Sequence, residues 1–531
     1  MEILTIYASV AGGILLSIVV IRAVMYLGPW SIAVKILIAK HITYPYFIGR
    51  HALLGPWTRA GSLMHISYAA LNLVLILFKS ASISVAGNRA GTLSLINAVF
   101  LVASCCLSNI ADLFGISLRS CRRIHRAVGW MVLSLVSLHI FTKLLSQQTE
   151  SIDGSARKLF AIIGAGILAA LGFFSLPIFR RISYECFLRA HQALAVGSLY
   201  SIWRHVSGKN LFPRLYIYVA IGVSACTLCF NLALFLFRNG LFSGNGCPRA
   251  RITCQVDNIG NEKCEETTKL APIKICIYLP RPITVMAGQY INLWLPSVSI
   301  WSWAQTHPFM VTSWFRGRHG MLEVLVEPHQ GLTKTLARRA NLMGPDGFSC
   351  MALFGGPHGI TESVENYESV LLVASGMGLA AVIPYVKLLI HGYNTCTSFV
   401  RRIHLIWQVE ALCIAISLEN ILNDLLSDDV LDGGYILEIS VFLENESLVK
   451  EKLPFGKHGR AFLFEGTPDY PKIIADEVSG ERIERLPNIQ DDRGKALLLA
   501  STRADLRDEL RDIVRPYLCQ GLMMSELEYQ P

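Results

Sequence analysis

The chain has 531 residues, of which 52% are hydrophobic and only 16% charged, and its mean hydropathy is +0.44. A soluble domain carries nearer a quarter charged residues, so a disordered chain, a simple cytosolic enzyme and a nucleic-acid binder are excluded. The average hides two halves: residues 1–237 hold 20 Lys/Arg against 5 Asp/Glu, whereas 238–531 hold 28 against 34. A membrane half followed by a soluble half accounts for this, and the basic excess then concerns membrane orientation.

A bilayer-crossing helix needs about 20 mostly apolar residues. Seven runs qualify, at about 3–26, 60–79, 92–110, 125–144, 159–178, 187–206 and 214–237. The first is expected as a retained helix rather than a signal peptide, because Glu2 is acidic and no Lys or Arg precedes the apolar run. The connectors near 27–59, 111–126 and 179–189 carry clusters such as Lys35/Lys40/Arg50 and Arg119/Arg122/Arg123. With seven spans they share one side with the soluble half, which places the N-terminus outside and the acidic half in the cytosol. Fourteen cysteines are scattered along the chain, with Cys105 and Cys106 adjoining in an apolar run. They read as small apolar filler, and no disulfide framework is expected.

His125 and His139 lie in one expected span, and His191 and His205 in another, each pair 14 residues apart. At about 100° per residue, 14 steps fall about 40° short of four turns, so each pair occupies one helix face. At about 1.5 Å per residue its members sit roughly 21 Å apart along the axis, near opposite leaflets. One intervening span makes the two helices parallel, so His125 meets His191 and His139 meets His205. Two bis-imidazole sites result, and neutral imidazole is a good axial ligand for haem iron. With both axial positions filled, such sites suit electron transfer. The levels are too far apart for one tetrahedral zinc site. His65, alone in its span, reads as a packing residue.

From about residue 250 short strand-like runs appear, at 273–279, 290–295 and 322–326, punctuated by Pro and Gly. A small antiparallel barrel over about 250–350 is expected. It contains His307-Pro308-Phe309, leading into Met310-Val311-Thr312-Ser313, and Gly331-Leu332-Thr333 at the start of a helix. Exposed N–H groups at such a start can hold a phosphate. A glycine-rich loop follows at Phe354–Gly359. Then the apolar run Val370–Ala374 meets Ser375-Gly376-Met377-Gly378 and a helix to about Ile390. Strand, glycine turn and helix bring backbone N–H groups to a pyrophosphate. Further strands at 403–409 and 496–500, and a helix from about 504 to 514, predict a doubly wound α/β domain.

This ordered combination, across about residues 60–531, resembles the fungal ferric reductases, transmembrane relatives of the NADPH oxidases. The resemblance implies four segments: an N-terminal span and cytosolic connector (1–59), a haem-binding bundle (60–237), an FAD-binding β-barrel (250–350) and an NAD(P)-binding α/β domain of ferredoxin-reductase type (351–531). It implies two b-type haems held by His125, His139, His191 and His205. FAD would be contacted by His307, Pro308, Phe309 and Ser313, with its phosphates at Gly331 and Thr333. NADPH would be bordered by Gly356, Gly359, Gly376 and Gly378. No residue of the chain is assigned a catalytic role of its own; the cofactors carry the redox chemistry.

The implied activity is an NAD(P)H-dependent ferric-chelate reductase. It would pass electrons from cytosolic NADPH through FAD and the inner and outer haems to chelated Fe(III), or Cu(II), across a plasma or vacuolar membrane. The partners are membrane lipid and a metal chelate, with no nucleic acid. The chain departs from the family at four places. Met310 replaces a hydroxyl residue after His-Pro-Phe. Ala500-Ser501-Thr502-Arg503 stands where a Cys-Gly pair is expected. Glu410 occupies a common Arg position, which leaves NADPH against NADH open. A terminal aromatic over the flavin is missing unless Tyr529 substitutes. Two other readings stay open: a superoxide-generating oxidase, and an impaired or repurposed relative.

Overall fold

The computed structural model describes residues 30–51, 56–146, 155–206, 211–240, 246–254, 272–299, 302–329, 331–431, 434–444, 452–483 and 494–528. The expected span at 3–26 and Tyr529 lie outside the described residues. The chain forms two bodies: residues up to Ile38 with Tyr46–Leu232, and Ala39–Pro45 with Ala233–Pro531.

The first body is helical. In chain order it contains α1 (Trp30–Ile38), a small antiparallel pair β1 (Tyr46–Ile48) and β2 (Trp57–Thr58), then α2 (Arg59–Leu77), α3 (Ile83–Ala103), α4 (Leu107–Phe114) and α5 (Leu118–Leu145). These are followed by α6 (Ser155–Phe174), α7 (Pro177–Ile182), α8 (Tyr184–His205) and α9 (Leu211–Arg238), whose last turn enters the second body. Side-chain caps set the starts. Thr58 accepts from the Gly61 N–H at 3.1 Å, Ser82 from Val85 at 3.3 Å and Ser117 from Ser120 at 3.2 Å. The expected span at 92–110 is corrected: Ser82 starts α3 nine residues earlier than the apolar run suggests, and the chain breaks after Ala103 before α4 begins. Hydrocarbon offers no water to polar groups, so those inside the bundle bind one another. Asn97 donates to Asn72 Oδ1 at 3.1 Å and accepts from the Tyr68 hydroxyl at 2.5 Å.

Among the described residues six helices are long and apolar enough to cross a membrane, and one of them is Gly376–Asn394. That helix is 72% buried within the second body, which identifies it as a core helix of the α/β fold. Tyr184–His205 carries too many polar residues to stand out by composition, yet it packs among the spans, alongside α6. No cysteine is bridged among the described residues; Cys226 and Cys229, a Cys-x-x-Cys pair on α9, are both free and exposed.

The second body has two modules. The first contains β3 (Arg249–Cys254), β4 (Ile273–Thr284), β5 (Tyr290–Trp294), β6 (His307–Met310), β7 (Arg318–Val326), α10 (Leu332–Leu342), β8 (Phe348–Met351) and β9 (Leu353–His358). The expected barrel is two antiparallel sheets, β7-β4-β3-β8 and β6-β5-β9, joined by a Val311–Val324 bridge around one apolar core. The run 354–358, read from sequence as a loop of the nucleotide domain, is a strand of this module, because its backbone pairs with Asn292–Trp294. Asn239, fully buried beyond α9, holds that strand: its Oδ1 accepts from Phe354 N–H at 3.0 Å and its Nδ2 donates to Phe354 O at 2.8 Å.

The second module contains β10 (Ser369–Ser375), α11 (Leu379–Asn394), β11 (Arg402–Val409), α12 (Leu412–Ser417), α13 (Glu419–Asp428), β12 (Leu437–Leu443), β13 (Lys452–Pro454) and β14 (Ala461–Glu465). It ends with α14 (Tyr470–Ser479), β15 (Ala496–Ser501), α15 (Ala504–Val514) and β16 (Leu522–Glu526). The sheet order is β13-β14-β12-β11-β10-β15-β16, parallel throughout except for β13. Its central strands read as unbroken apolar runs because they are covered on both faces. Residues 39–45 join this body rather than the membrane connector to which the sequence assigns them. The Tyr44 hydroxyl donates to Met524 O and accepts from Met524 N–H, both at 3.1 Å, and Arg515 Nε donates to Lys40 O at 3.0 Å.

A buried ionic cluster ties α14 to the sheet. Glu477 accepts from Ser369 at 2.9 Å, from Arg402 at 2.9 Å and from His404 at 3.0 Å. Burial alone would raise the Glu477 carboxyl, but the hydrogen bonds and charges of His404 and Arg402 hold it at about 2. A depressed carboxylate stabilises the fold above its unfolded value of 4.5 and loses that contribution as pH falls toward 2. The gap in melting temperature between the native chain and Glu477→Gln is therefore expected to narrow as pH drops through that window. Asn239→Ala strands two backbone groups of Phe354, at about 1–3 kcal/mol each, and a lowered melting temperature of the solubilised chain checks it.

Candidate functional site

Two sites emerge, one in each body. In the membrane half, α5 carries His125 and His139, and α8 carries His191 and His205. The rings of His125 and His191 lie 6.2 Å apart between centres, and His139 and His205 are electrostatic neighbours. The structure thus brings the four residues together as the pairs that the 14-residue interval implies.

The second nitrogen of each ring shows how it is set. His139 Nδ1 lies 2.7 Å from the Gly87 carbonyl, which can only accept, so Nδ1 bears the proton and Nε2 carries the lone pair. His125 Nδ1 lies 2.9 Å from Ser104 Oγ, and that hydroxyl spends its own proton on Leu101 O at 2.7 Å. His191 Nδ1 lies 3.3 Å from Ser175 Oγ, whose proton goes to Leu171 O at 2.6 Å. In both cases the imidazole must donate, and Nε2 is again the free base. The His205 ring lies near the Arg157 backbone, and its buried Nδ1 has no hydrogen-bond partner among the described residues. The close approach of α3 to α5 depends on Gly91, where a Cβ would stand 2.9 Å from His139 Nδ1. His65 instead bonds its own helix, at 2.7 Å from Gly61 O, and packs on Trp57.

In the second body the flavin-type residues lie on β6, on the segment that follows it and at one helix start. His307 and Pro308 are half-buried on β6, whereas Phe309 is 2% exposed and enclosed by the module's own core. Ser313 Oγ accepts from Glu323 N–H at 2.9 Å, which leaves its proton to donate. Gly331, at φ +73°, opens α10 with no side-chain cap, and Thr333 Oγ1 accepts from His329 N–H at 2.9 Å. Gly356 and Gly359 lie against Tyr290, at the seam where this module meets α11.

The remaining glycines sit at the carboxyl edge of the parallel sheet. Gly376-Met377-Gly378 links β10 to α11, and a Cβ on Gly378 would fall 2.0 Å from the Ser501 carbonyl oxygen. Beside it, Ser501 Oγ and Thr502 Oγ1 are buried hydroxyls with no hydrogen-bond partner among the described residues. Sequence reading treats this stretch only as a missing Cys-Gly pair. Buried polar atoms without partners mark a place where a ligand or water completes the bonding. Glu410 and Glu444 follow β11 and β12 at the same edge, and Arg503 donates to Glu444. The hydrogen bond it donates to Glu444 raises the Arg503 guanidinium above its ordinary value. Among the described residues no cluster of His, Cys, Asp and Glu could hold a metal ion by itself.

The comparisons with known proteins agree with this architecture. Residues 89–202 match the family model described as a ferric reductase like transmembrane component, and 272–372 match an FAD-binding domain. The chain thus joins a segment similar to the ferric reductase like transmembrane component to a segment similar to an FAD-binding domain. The chain is 25% identical over 322 residues to ferric/cupric reductase transmembrane component 2 of Saccharomyces cerevisiae, covering 58% of this chain and 41% of that one. It is 28% identical over 227 residues to ferric reductase transmembrane component 3 of the same yeast, covering 43% and 28%. Against ferric reductase transmembrane component 1 of Schizosaccharomyces pombe it is 21% identical over 377 residues, covering 62% and 59%. The chain therefore spans less than two thirds of each of these relatives. The resemblance to fungal ferric reductases is borne out. Among solved structures, ferredoxin-NADP+ reductase from Plasmodium falciparum overlaps 55% of this chain at a TM-score of 0.34 and 11% identity, too slight a likeness to bear on function.

Gly378→Ala forces backbone against backbone at Ser501. Overpacking of this kind costs about 1–3 kcal/mol. A drop of several degrees in the melting transition is expected, and an unchanged transition would show that β10 and β15 do not rely on this contact.

Proposed function

We propose that the protein is a transmembrane oxidoreductase that moves electrons from a cytosolic pyridine nucleotide to a metal chelate, Fe(III) or Cu(II), on the other side of the membrane. One observation carries this reading: four imidazoles converge in two pairs inside the membrane bundle, and in three of them Nδ1 serves as a donor, so that Nε2 is left as the base.

The donor set fits two b-type haems. Two metal–nitrogen bonds of about 2 Å plus the half-widths of two imidazole rings make about 6 Å, and the His125–His191 centres are 6.2 Å apart. His125 with His191, and His139 with His205, would be the axial ligands. Ser104, Ser175 and the Gly87 carbonyl fix ring orientation and enrich the ligating nitrogen. The second body fits FAD and NAD(P)H. The uncapped start of α10 at Gly331 offers N–H groups to a phosphate, Ser313 keeps a hydroxyl proton to give, and His307 and Pro308 present the accessible face of β6. Phe309 supports that strand from the core. The buried hydroxyls of Ser501 and Thr502, with Gly376 and Gly378, form the bed for the nucleotide.

When bound, these groups supply hydride acceptance and one-electron transfer. The chain's own residues fix spacing, hold the imidazole tautomers and exclude water. The names of the similar yeast proteins, ferric and ferric/cupric reductases, support iron or copper as the metal of the acceptor; in this reading the metal is chelated and the membrane is the plasma or vacuolar one.

The purified native chain is expected to hold two protohaem groups, measured as the pyridine haemochrome. His191→Ala should hold at most one, and full haem in that variant would remove His191 as a ligand. Addition of NADPH or NADH to membranes should give the reduced-minus-oxidised b-type spectrum that dithionite gives.

A further inference from the structure

The carboxyl edge of the parallel sheet carries more charge than a generic dinucleotide bed requires. Val409 pairs with Leu443 across β11 and β12, and Glu444 N–H donates to Val409 O at 2.9 Å. Glu410 and Glu444 therefore stand side by side on neighbouring strand ends. Arg503 comes from the opposite direction, beyond β15. Its N–H donates to Ser375 Oγ at 2.7 Å, at the end of β10. Its guanidinium then reaches both carboxylate oxygens of Glu444, at 3.0 and 2.6 Å. The side chain thus runs past the ends of β10 and β11 to the end of β12. In an open parallel sheet, this is the ground on which a dinucleotide lies.

The burial is asymmetric. Glu444 is 13% exposed and Arg503 46%, so the carboxylate is the fixed member and the guanidinium is drawn to it. Asp505 and Glu410 also act on Arg503 electrostatically. Three carboxylates thus act on one cation. A guanidinium engaged with both oxygens of a carboxylate has its best-aligned donors committed. To clasp a phosphate it must first leave Glu444 unpaired in a half-buried position. A 2′-phosphate, at about −1.5 to −2 charge, would also face Glu410. Free ribose hydroxyls, by contrast, can donate to carboxylates without breaking the pair.

We propose that the Arg503–Glu444 ion pair, with Glu410, sets the coenzyme choice of this chain, committing the sheet edge to NADH, whose adenosine ribose keeps its free 2′-hydroxyl, over the 2′-phosphorylated NADPH. This rests on the reading of that edge as a pyridine-nucleotide site.

The test is equilibrium binding of NAD+ and NADP+ to the full-length chain in detergent with FAD retained, read by calorimetry without turnover. The native chain should bind NAD+ at least about tenfold more tightly than NADP+. Glu444→Gln releases Arg503 and removes a charge, and should lower the ratio of the NADP+ to the NAD+ dissociation constant about tenfold, chiefly through NADP+. Arg503→Glu replaces the cation with a further carboxylate at the edge and should raise that ratio by a similar factor, which serves as a second arm if the first variant does not fold. Native binding that favours NADP+, or ratios that stay within about twofold in the folded variants, would overturn the coenzyme assignment alone. If neither nucleotide binds the FAD-loaded native chain, the nucleotide-site reading fails and this proposal fails with it.

Discussion

In hydrocarbon every polar group must find its partner within the protein, and three of the four membrane imidazoles, His125, His139 and His191, are set under that constraint. A ring nitrogen that donates to a neighbouring helix cannot also turn toward lipid. Donation from His139 to the Gly87 carbonyl needs α3 and α5 nearly in backbone contact, which the missing side chain at Gly91 permits. The serines at 104 and 175 play the same part for His125 and His191, with their own protons returned to the helix. Small residues, close helices and a fixed tautomer are one arrangement seen at three scales, and in these three rings they leave Nε2 as the base.

The soluble half solves a different problem by a comparable economy. A parallel sheet buried on both faces can present polar chemistry only at its strand ends. Gly378 lets β10 and β15 close on each other there, which brings Ser501 and Thr502 to the turn. The ionic cluster around Glu477 involves residues at the start of β10 and β11, toward the other end of the strands, and keeps α14 fixed to them. The two ionic clusters, around Glu477 and around Glu444, are thus kept apart within one layer.

Much of this was legible in the residues. The histidine interval worked because a helix in lipid has no alternative hydrogen-bonding pattern, so arithmetic on residue number becomes geometry. Val370–Ala374, 403–409 and 496–500 were found as strands because buried parallel strands are continuous apolar runs, and they differ from the observed strands by at most one residue at either end. The start of α3 was missed because Gly87, Asn88, Arg89 and Gly91 dilute its hydropathy, although Ser82 signals the cap. Phe354–His358 looked like a loop from its glycines, yet pairing with β5 depends on residues some 60 positions earlier and cannot be read locally. The link between Arg503 and Glu444 likewise joins segments that only the sheet order makes neighbours.

The segment 39–45 bears on how such a chain is made. Tyr44 is anchored by Met524, across 480 positions of sequence. Contacts of such separation form late, since the intervening polypeptide must be closed first. The stretch around Tyr44 can be seated only after β16, some 480 positions further along, has been made. Folding here is therefore out of step with synthesis: an earlier segment waits for a later strand to complete its surface, and damage to β16 will be felt at residues 39–45.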